Sequence, residues 1–201
     1  MLKKIYNKLF YNPYKVAKNN TSIQVDSSAI LLKSCQFIVG SPSPKKSILI
    51  GQDSMLGCTF VFESDQGSIE IGKSSYISAG TTLISRSQIK IGSNVTIAWG
   101  CTIYDHNSHS LDFAERRNDI SRQNKAFREG QDFIATKNWD VVKSAPIIIE
   151  NDVWIGFNCI LLKGIRVGEG AIISAGSVVR NDVEPWTVVA GNPAQIIKRL
   201  K

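Results

Sequence analysis

The chain has two histidines, His106 and His109, and both fall in the stretch Asp105-His106-Asn107-Ser108-His109-Ser110-Leu111-Asp112. Imidazole titrates near pH 6.5, so it can take the proton of a hydroxyl, itself a far weaker acid, while that hydroxyl attacks an electrophile. Asp112 or Asp105 could hold such a ring in its working tautomer, and a backbone carbonyl would serve equally. A single loop histidine would most simply be a solvated residue. Two in one motif make a candidate base.

Other chemistries fit less well. Cys35, Cys58, Cys101 and Cys159 are widely separated with no CxxC pair, so they read as reduced, packed thiols and indicate neither a zinc site nor a redox pair. No apolar run approaches the roughly 18 residues of a membrane span. The N-terminus lacks the apolar segment and cleavage site of a secretory signal, which leads to the expectation of a cytoplasmic protein, at most peripheral at the inner face of the membrane. A net charge of +7 favours an anionic partner. Nucleic acid is not expected, because the basic residues are spread out and not interleaved with exposed aromatics.

The elements that must hold the histidines are written in a period of six: Ile149, Ile155, Leu161, Val167, Ile173 and Val179. A helix repeats its apolar face at three and four residues and a strand at two, so a sustained six calls for a repeat solenoid. The same spacing joins Val25, Leu31 and Phe37, then Ile50, Leu56 and Phe62, then Ile71, Ile77 and Leu83, then Ile91, Ile97 and Ile103. Three hexads make one triangular coil. About six coils are predicted, their aliphatic residues stacked into one apolar column.

The period fails in two places. Residues 1–24 are expected to form a helical cap, since Leu2, Ile5, Leu9 and Phe10 recur near helical spacing among Lys3, Lys4 and Lys8. Such a segment can close the open end of a solenoid or attach weakly to an anionic membrane surface. Residues 104–146 form a charged, irregular insertion in the domain 25–201, with Phe113, Phe127, Phe133 and Trp139 as its expected points of attachment. Insertions of this length tend to mark the binding face of a solenoid.

The hexads, with Ile149-Glu150-Asn151-Asp152-Val153-Trp154-Ile155-Gly156, Ala175-Gly176-Ser177-Val178-Val179 and Ala190-Gly191-Asn192-Pro193-Ala194, resemble the hexapeptide-repeat acyltransferases from about Val25 onward. The match looks most like the maltose and galactoside acetyltransferase branch and its polysaccharide O-acetyltransferase relatives. The resemblance implies an all-β fold, a left-handed parallel β-helix, a homotrimer, and acetyl-CoA as co-substrate, whose phosphates would suit the positive charge. His109-Ser110-Leu111-Asp112 with Glu115-Arg116-Arg117 looks like the branch's His-Pro-Leu-Asp segment, with serine for proline, and its histidine is the base. His109 inherits that role by position, and His106, in a motif resembling Asp-His-x-His, is the reserve. Asp105, Asp112 and Trp139 are expected near the acceptor. Carried over along the donor groove between subunits, Trp154 would flank the thioester, Gly156 and Ala175 would leave room for the pantetheine arm, and Arg180 would sit alongside. Gly191 and Pro193 would pass the adenine, and Lys198 and Arg199 would face the ribose phosphate. No metal is expected, because the carbonic-anhydrase-like relatives use three histidines and this chain has two.

Together these readings predict direct transfer of acetyl to a hydroxyl of a sugar or oligosaccharide, favouring a surface polysaccharide such as capsule or O-antigen or its precursor. Maltose, galactosides, amino sugars and streptogramin-type antibiotics are the other acceptors. The rival reading is a non-enzymatic scaffold. A scaffold has no reason to carry a histidine-bearing insertion beside Trp154-Ile155-Gly156.

Overall fold

The structure is a computed structural model that describes residues 11–40, 42–132, 134 and 136–200. Three short strands form each coil. They are β1 (Ile23–Val25), β2 (Ile30–Leu31) and β3 (Gln36–Ile38) in the first, and β4 (Lys46–Ile50), β5 (Met55–Leu56) and β6 (Thr59–Val61) in the second. The third holds β7 (Gly67–Ile71), β8 (Tyr76–Ile77) and β9 (Thr82–Ile84), and the fourth β10 (Gln88–Ile91), β11 (Thr96–Ile97) and β12 (Thr102–Tyr104). Beyond the insertion come β13 (Ile147–Ile149), β14 (Trp154–Ile155) and β15 (Ile160–Leu162), then β16 (Arg166–Val167), β17 (Ile172–Ile173) and β18 (Val178–Val179). The chain ends in β19 (Thr187–Gly191) and β20 (Ala194–Arg199). Strands of like position pair in parallel down the stack, giving sheets β1-β4-β7-β10-β13-β16, β2-β5-β8-β11-β14-β17-β19-β20 and β3-β6-β9-β12-β15-β18. This three-sided prism is the expected left-handed parallel β-helix.

The hexad residues fill it. Ile50, Ile71, Ile91, Ile149 and Val167 stack in register on one sheet. Leu31, Leu56, Ile77, Ile97, Ile155 and Ile173 stack on the next. All are buried. The third column corrects the reading by six: Phe60, not Phe62, stacks between Phe37 and Leu83. The corner after Leu56 is two residues shorter than its counterparts, so a strict count overruns it.

Corners are made by left-handed backbone. Asp53, Ser74, Asn94 and Asp152 adopt positive φ at one edge of the prism, and Gly80, Gly100, Asn158 and Gly176 do so at the next. Gly100 has a second reason to lack a side chain, since a Cβ there would stand 2.3 Å from Asn158 Oδ1. Inside that edge, Thr81 Oγ1 donates to the Ala98 carbonyl at 2.8 Å, Cys101 Sγ to Gly156 at 3.1 Å and Cys159 Sγ to Ser174 at 3.2 Å. The thiols act as members of a hydroxyl ladder that satisfies corner carbonyls, and all four cysteines are free and buried.

Helix α1 (Pro13–Lys18) starts at Asn12, whose side chain accepts from the Tyr14 and Lys15 amides, and packs on β1 and β3. Tyr14 and Tyr11 hydroxyls accept from the Leu31 and Phe37 amides, both at 2.9 Å, so edge donors of the first coil are paired. The helical spacing of Leu2, Ile5, Leu9 and Phe10 lies outside the described residues. At the other end β19 and β20 form an antiparallel hairpin around a cis Asn192–Pro193 bond.

The insertion leaves at the end of β12 and returns at β13. It is not irregular as expected, because α2 (Phe113–Arg128) takes up 16 of its residues. Its expected anchors also differ. Phe113 and Phe127 point outward, Phe133 lies outside the described residues, and Trp139 packs edge-on against His106 at 5.8 Å. Among the described residues no helix is long and apolar enough to cross a membrane.

Candidate active site

The insertion is anchored at its first residues by a buried charge network. Asp105, wholly buried, accepts from the Arg86 amide at 2.8 Å, the Ser87 amide at 2.9 Å and Ser85 Oγ at 2.7 Å. His106 follows it, and its Nδ1 donates to Asp105 Oδ1 at 2.9 Å while its Nε2 donates to Glu63 Oε2 at 3.0 Å. Ser108 Oγ donates to the same Glu63 oxygen at 2.8 Å and Tyr104 Oη at 3.1 Å. Burial alone would lower the His106 pKa, but the two carboxylates overcome it and raise the pKa above 6.5. Glu63 is pulled down to about 2, first by the hydrogen bond from His106. Burial drives the Tyr104 hydroxyl up to about 12. Both nitrogens of His106 are thus engaged by carboxylates that favour its charged form.

His109 is different. Its side chain is 45% exposed, and its Nδ1 stands 3.3 Å from Oδ2 of Asp119, a carboxylate on α2 with no exposed surface. Burial would raise the Asp119 pKa, yet hydrogen bonds from Arg122, at 2.9 Å, and His109 bring it below its ordinary value. An ionised Asp119 favours the tautomer with the proton on Nδ1, in which Nε2 is the acceptor. Of the two carboxylates expected to orient a histidine, Asp105 holds His106. Asp112 caps α2 instead, its Oδ1 accepting from the Ala114 amide at 2.8 Å. Trp139 lies among cations of its own chain, with Lys137 Nζ 4.5 Å and Arg86 Cζ 5.1 Å from its ring centroid.

A groove of about 630 Å³ runs along the outside of the second sheet. Trp154, Gly156 and Ala175 line it, joined by Tyr76, Trp99 and Phe157. Its walls are nearly all apolar, and the Ser78 hydroxyl is buried with no partner among the described residues. Of the remaining expected residues, Lys198 pairs opposite the groove residue Val188, while Gly191 ends β19 and Pro193 sits in the exposed hairpin turn that follows. Arg199 is tied to Glu184 and Arg180 is exposed beyond β18, away from the groove lining. Among the described residues none of the insertion lines this groove. The base and the groove lie on different sides of one subunit.

Glu63 and Asp119 were missed from the sequence, and the second had a signal. Asp112-Phe113-Ala114-Glu115 has the spacing of a helix-opening box, and a helix from Phe113 sets Glu115, Asp119 and Arg122 on one face. Glu63 lies 43 residues from His106 and meets it only through the stacking of coils.

Residues 146–181 match the family model described as bacterial transferase hexapeptide (six repeats), a segment that covers β13 to β18 and does not reach the insertion. Over 56 residues the chain is 55% identical to a 2,3,4,5-tetrahydropyridine-2,6-dicarboxylate N-acetyltransferase of Staphylococcus aureus, covering 28% of this chain and 23% of that protein. The match therefore spans about a quarter of this curated relative. Among solved structures, a hexapeptide-repeat-containing acetyltransferase from Vibrio cholerae is 31% identical with a TM-score of 0.59, over 76% of this chain and 74% of that one. The polySia-specific acetyltransferase NeuO is 22% identical with a TM-score of 0.55, covering 89% and 87%, a likeness of fold alone.

Proposed function

We propose a function from one premise: the chain belongs to the hexapeptide-repeat acetyltransferases. On this reading it moves acetyl from acetyl-CoA directly to a hydroxyl of a sugar, in the polysaccharide O-acetyltransferase manner, with His109 as general base. The observation that carries it is the half-exposed His109 ring held by the buried Asp119 carboxylate at 3.3 Å.

His109 Nε2 takes the hydroxyl proton as the oxygen attacks the thioester carbonyl, and the resulting tetrahedral oxyanion expels the CoA thiolate. The imidazolium returns its proton to that sulfur, giving the ester and free thiol with no covalent enzyme intermediate. Asp119 stabilises the imidazolium while the charge exists. The groove suits the pantetheine arm, because its walls are apolar and small at Gly156 and Ala175. Trp154, 53% exposed, is the expected neighbour of the thioester.

A homotrimer is part of the same proposal. In register along the outside of the second sheet stand Ile30, Met55, Tyr76, Thr96 and Trp154, the four apolar ones each at least 36% exposed, a largely apolar stripe suited to a subunit contact. Such a contact would bring the insertion of one subunit to the groove of its neighbour.

The test is acceptor-dependent thiol release from acetyl-CoA over a panel of sugars and oligosaccharides, with an amine such as a 2-amino dicarboxylate included because of the N-acetyltransferase likeness. His109→Ala should lower turnover about 100- to 10,000-fold while the fold and oligomer persist. An unchanged rate removes His109 from the role. Release with the amine alone would move the reaction to N-acetylation.

A further inference from the structure

Helix α2 is inverted relative to an ordinary surface helix, which turns its apolar face inward. Its inward side is polar: Asp119 is buried, Arg122 and Glu115 are half-buried 3.6 Å apart, and Ala126 is its one buried apolar residue. Its outward line carries Phe113, Ile120 and Phe127, 60%, 57% and 74% exposed, with Leu111 at 71% just before it. Seven-residue spacing keeps these side chains on one line, about 10 Å apart. Charge is sorted the same way. Glu115 and Asp119 turn inward, whereas the outward charges within the helix are Arg116, Arg117, Lys125 and Arg128, all cations, of which Arg116 donates to the Ser110 and Leu111 carbonyls and Lys125 stands 4.0 Å from Glu129 at the C-cap.

We propose that this face of α2 docks on a bilayer surface rich in anionic lipid, its apolar line entering the headgroup region and its cations meeting lipid phosphates. Each alternative occupant satisfies half of the face. A soluble polyanion would reward the cations and leave Ile120 and Leu111 in water. A second copy offers the apolar groove, but that groove has no acidic residue to receive four cations. An anionic headgroup layer rewards both. Because Asp119 on the opposite side of the same helix holds His109, docking would set the candidate base at the membrane surface.

The experiment is cosedimentation of the full chain with phosphatidylcholine–phosphatidylglycerol vesicles and with phosphatidylcholine vesicles. Wild type should sediment with the first, be released by high salt, and stay in solution with the second. The combined variant Phe113→Ser, Ile120→Ser, Phe127→Ser should partition at least about tenfold less, as loss of three interfacial side chains implies. Its circular dichroism and gel-filtration volume should match wild type, since all three side chains are already exposed. Equal sedimentation of the variant would overturn the proposal, and so would a variant that falls apart into smaller species, which would make the face a subunit contact. Wild type that binds dextran sulfate and ignores both vesicle types would assign the face to a soluble polyanion and overturn it equally.

Discussion

Two histidines three residues apart have opposite circumstances, and the difference lies in how many of their nitrogens are occupied. His106 is buried and donates from both nitrogens to carboxylates; His109 donates from one and keeps the other free. Asp119→Asn should therefore leave the fold intact but lower kcat by about a hundredfold or more with little change in KM, because the amide no longer fixes the tautomer or stabilises imidazolium. An equal rise in KM with kcat retained would make Asp119 a binding residue. The His106 network predicts a pH window. Its pKa lies above 6.5 in the fold, so its contribution is whole below about 6.5 and is lost as pH rises through the folded value. Glu63, held at about 2 against an ordinary 4.5, contributes fully above 4.5 and loses that as pH falls toward 2. The Tm gap between wild type and His106→Gln should be widest between those limits and shrink on either side; a gap independent of pH would contradict the assignment of charge. The sequence revealed the histidines because they are the two of their kind. It hid their partners, since Asp119 reaches His109 only once α2 has formed.

At the level of elements, a hexad is readable because one inward residue per strand must be aliphatic in every coil, whatever the corners hold. Ile97 stands mid-column between Ile77 and Ile155 with no exposed surface. Ile97→Ala should cost about 2–5 kcal/mol in denaturant unfolding, as a cavity in a rigid stack cannot collapse. Thr96→Ala, one residue earlier on the outward face, should cost far less, and similar losses at both would deny that the column holds the prism together. Where the sequence misled, a local length change or an inverted pattern was the cause. The short corner after Leu56 moved the stacked residue to Phe60. Helix α2 escaped notice because its apolar residues face outward and its buried face reads as charge, the reverse of the usual sign of amphipathicity.

The whole molecule separates what the reaction must bring together. His109 belongs to an insertion that leaves the third sheet, while the groove with Trp154 and Ala175 lies along the second, so on the proposed reading base and groove come from two subunits. Light scattering should give three times the 22.2 kDa chain mass. The measurement that bears most directly on the account is complementation between two inactive variants. His109→Ala keeps the groove, and Ala175→Trp, at an exposed groove position, fills it while keeping the base. Neither alone should release thiol from acetyl-CoA. Unfolded together in equal amounts and refolded, they should regain about one quarter of wild-type activity, because in a ring of three each interface draws its base and its groove independently. A mixture as inactive as its parents would mean that base and groove act within one chain, and would contradict the shared site.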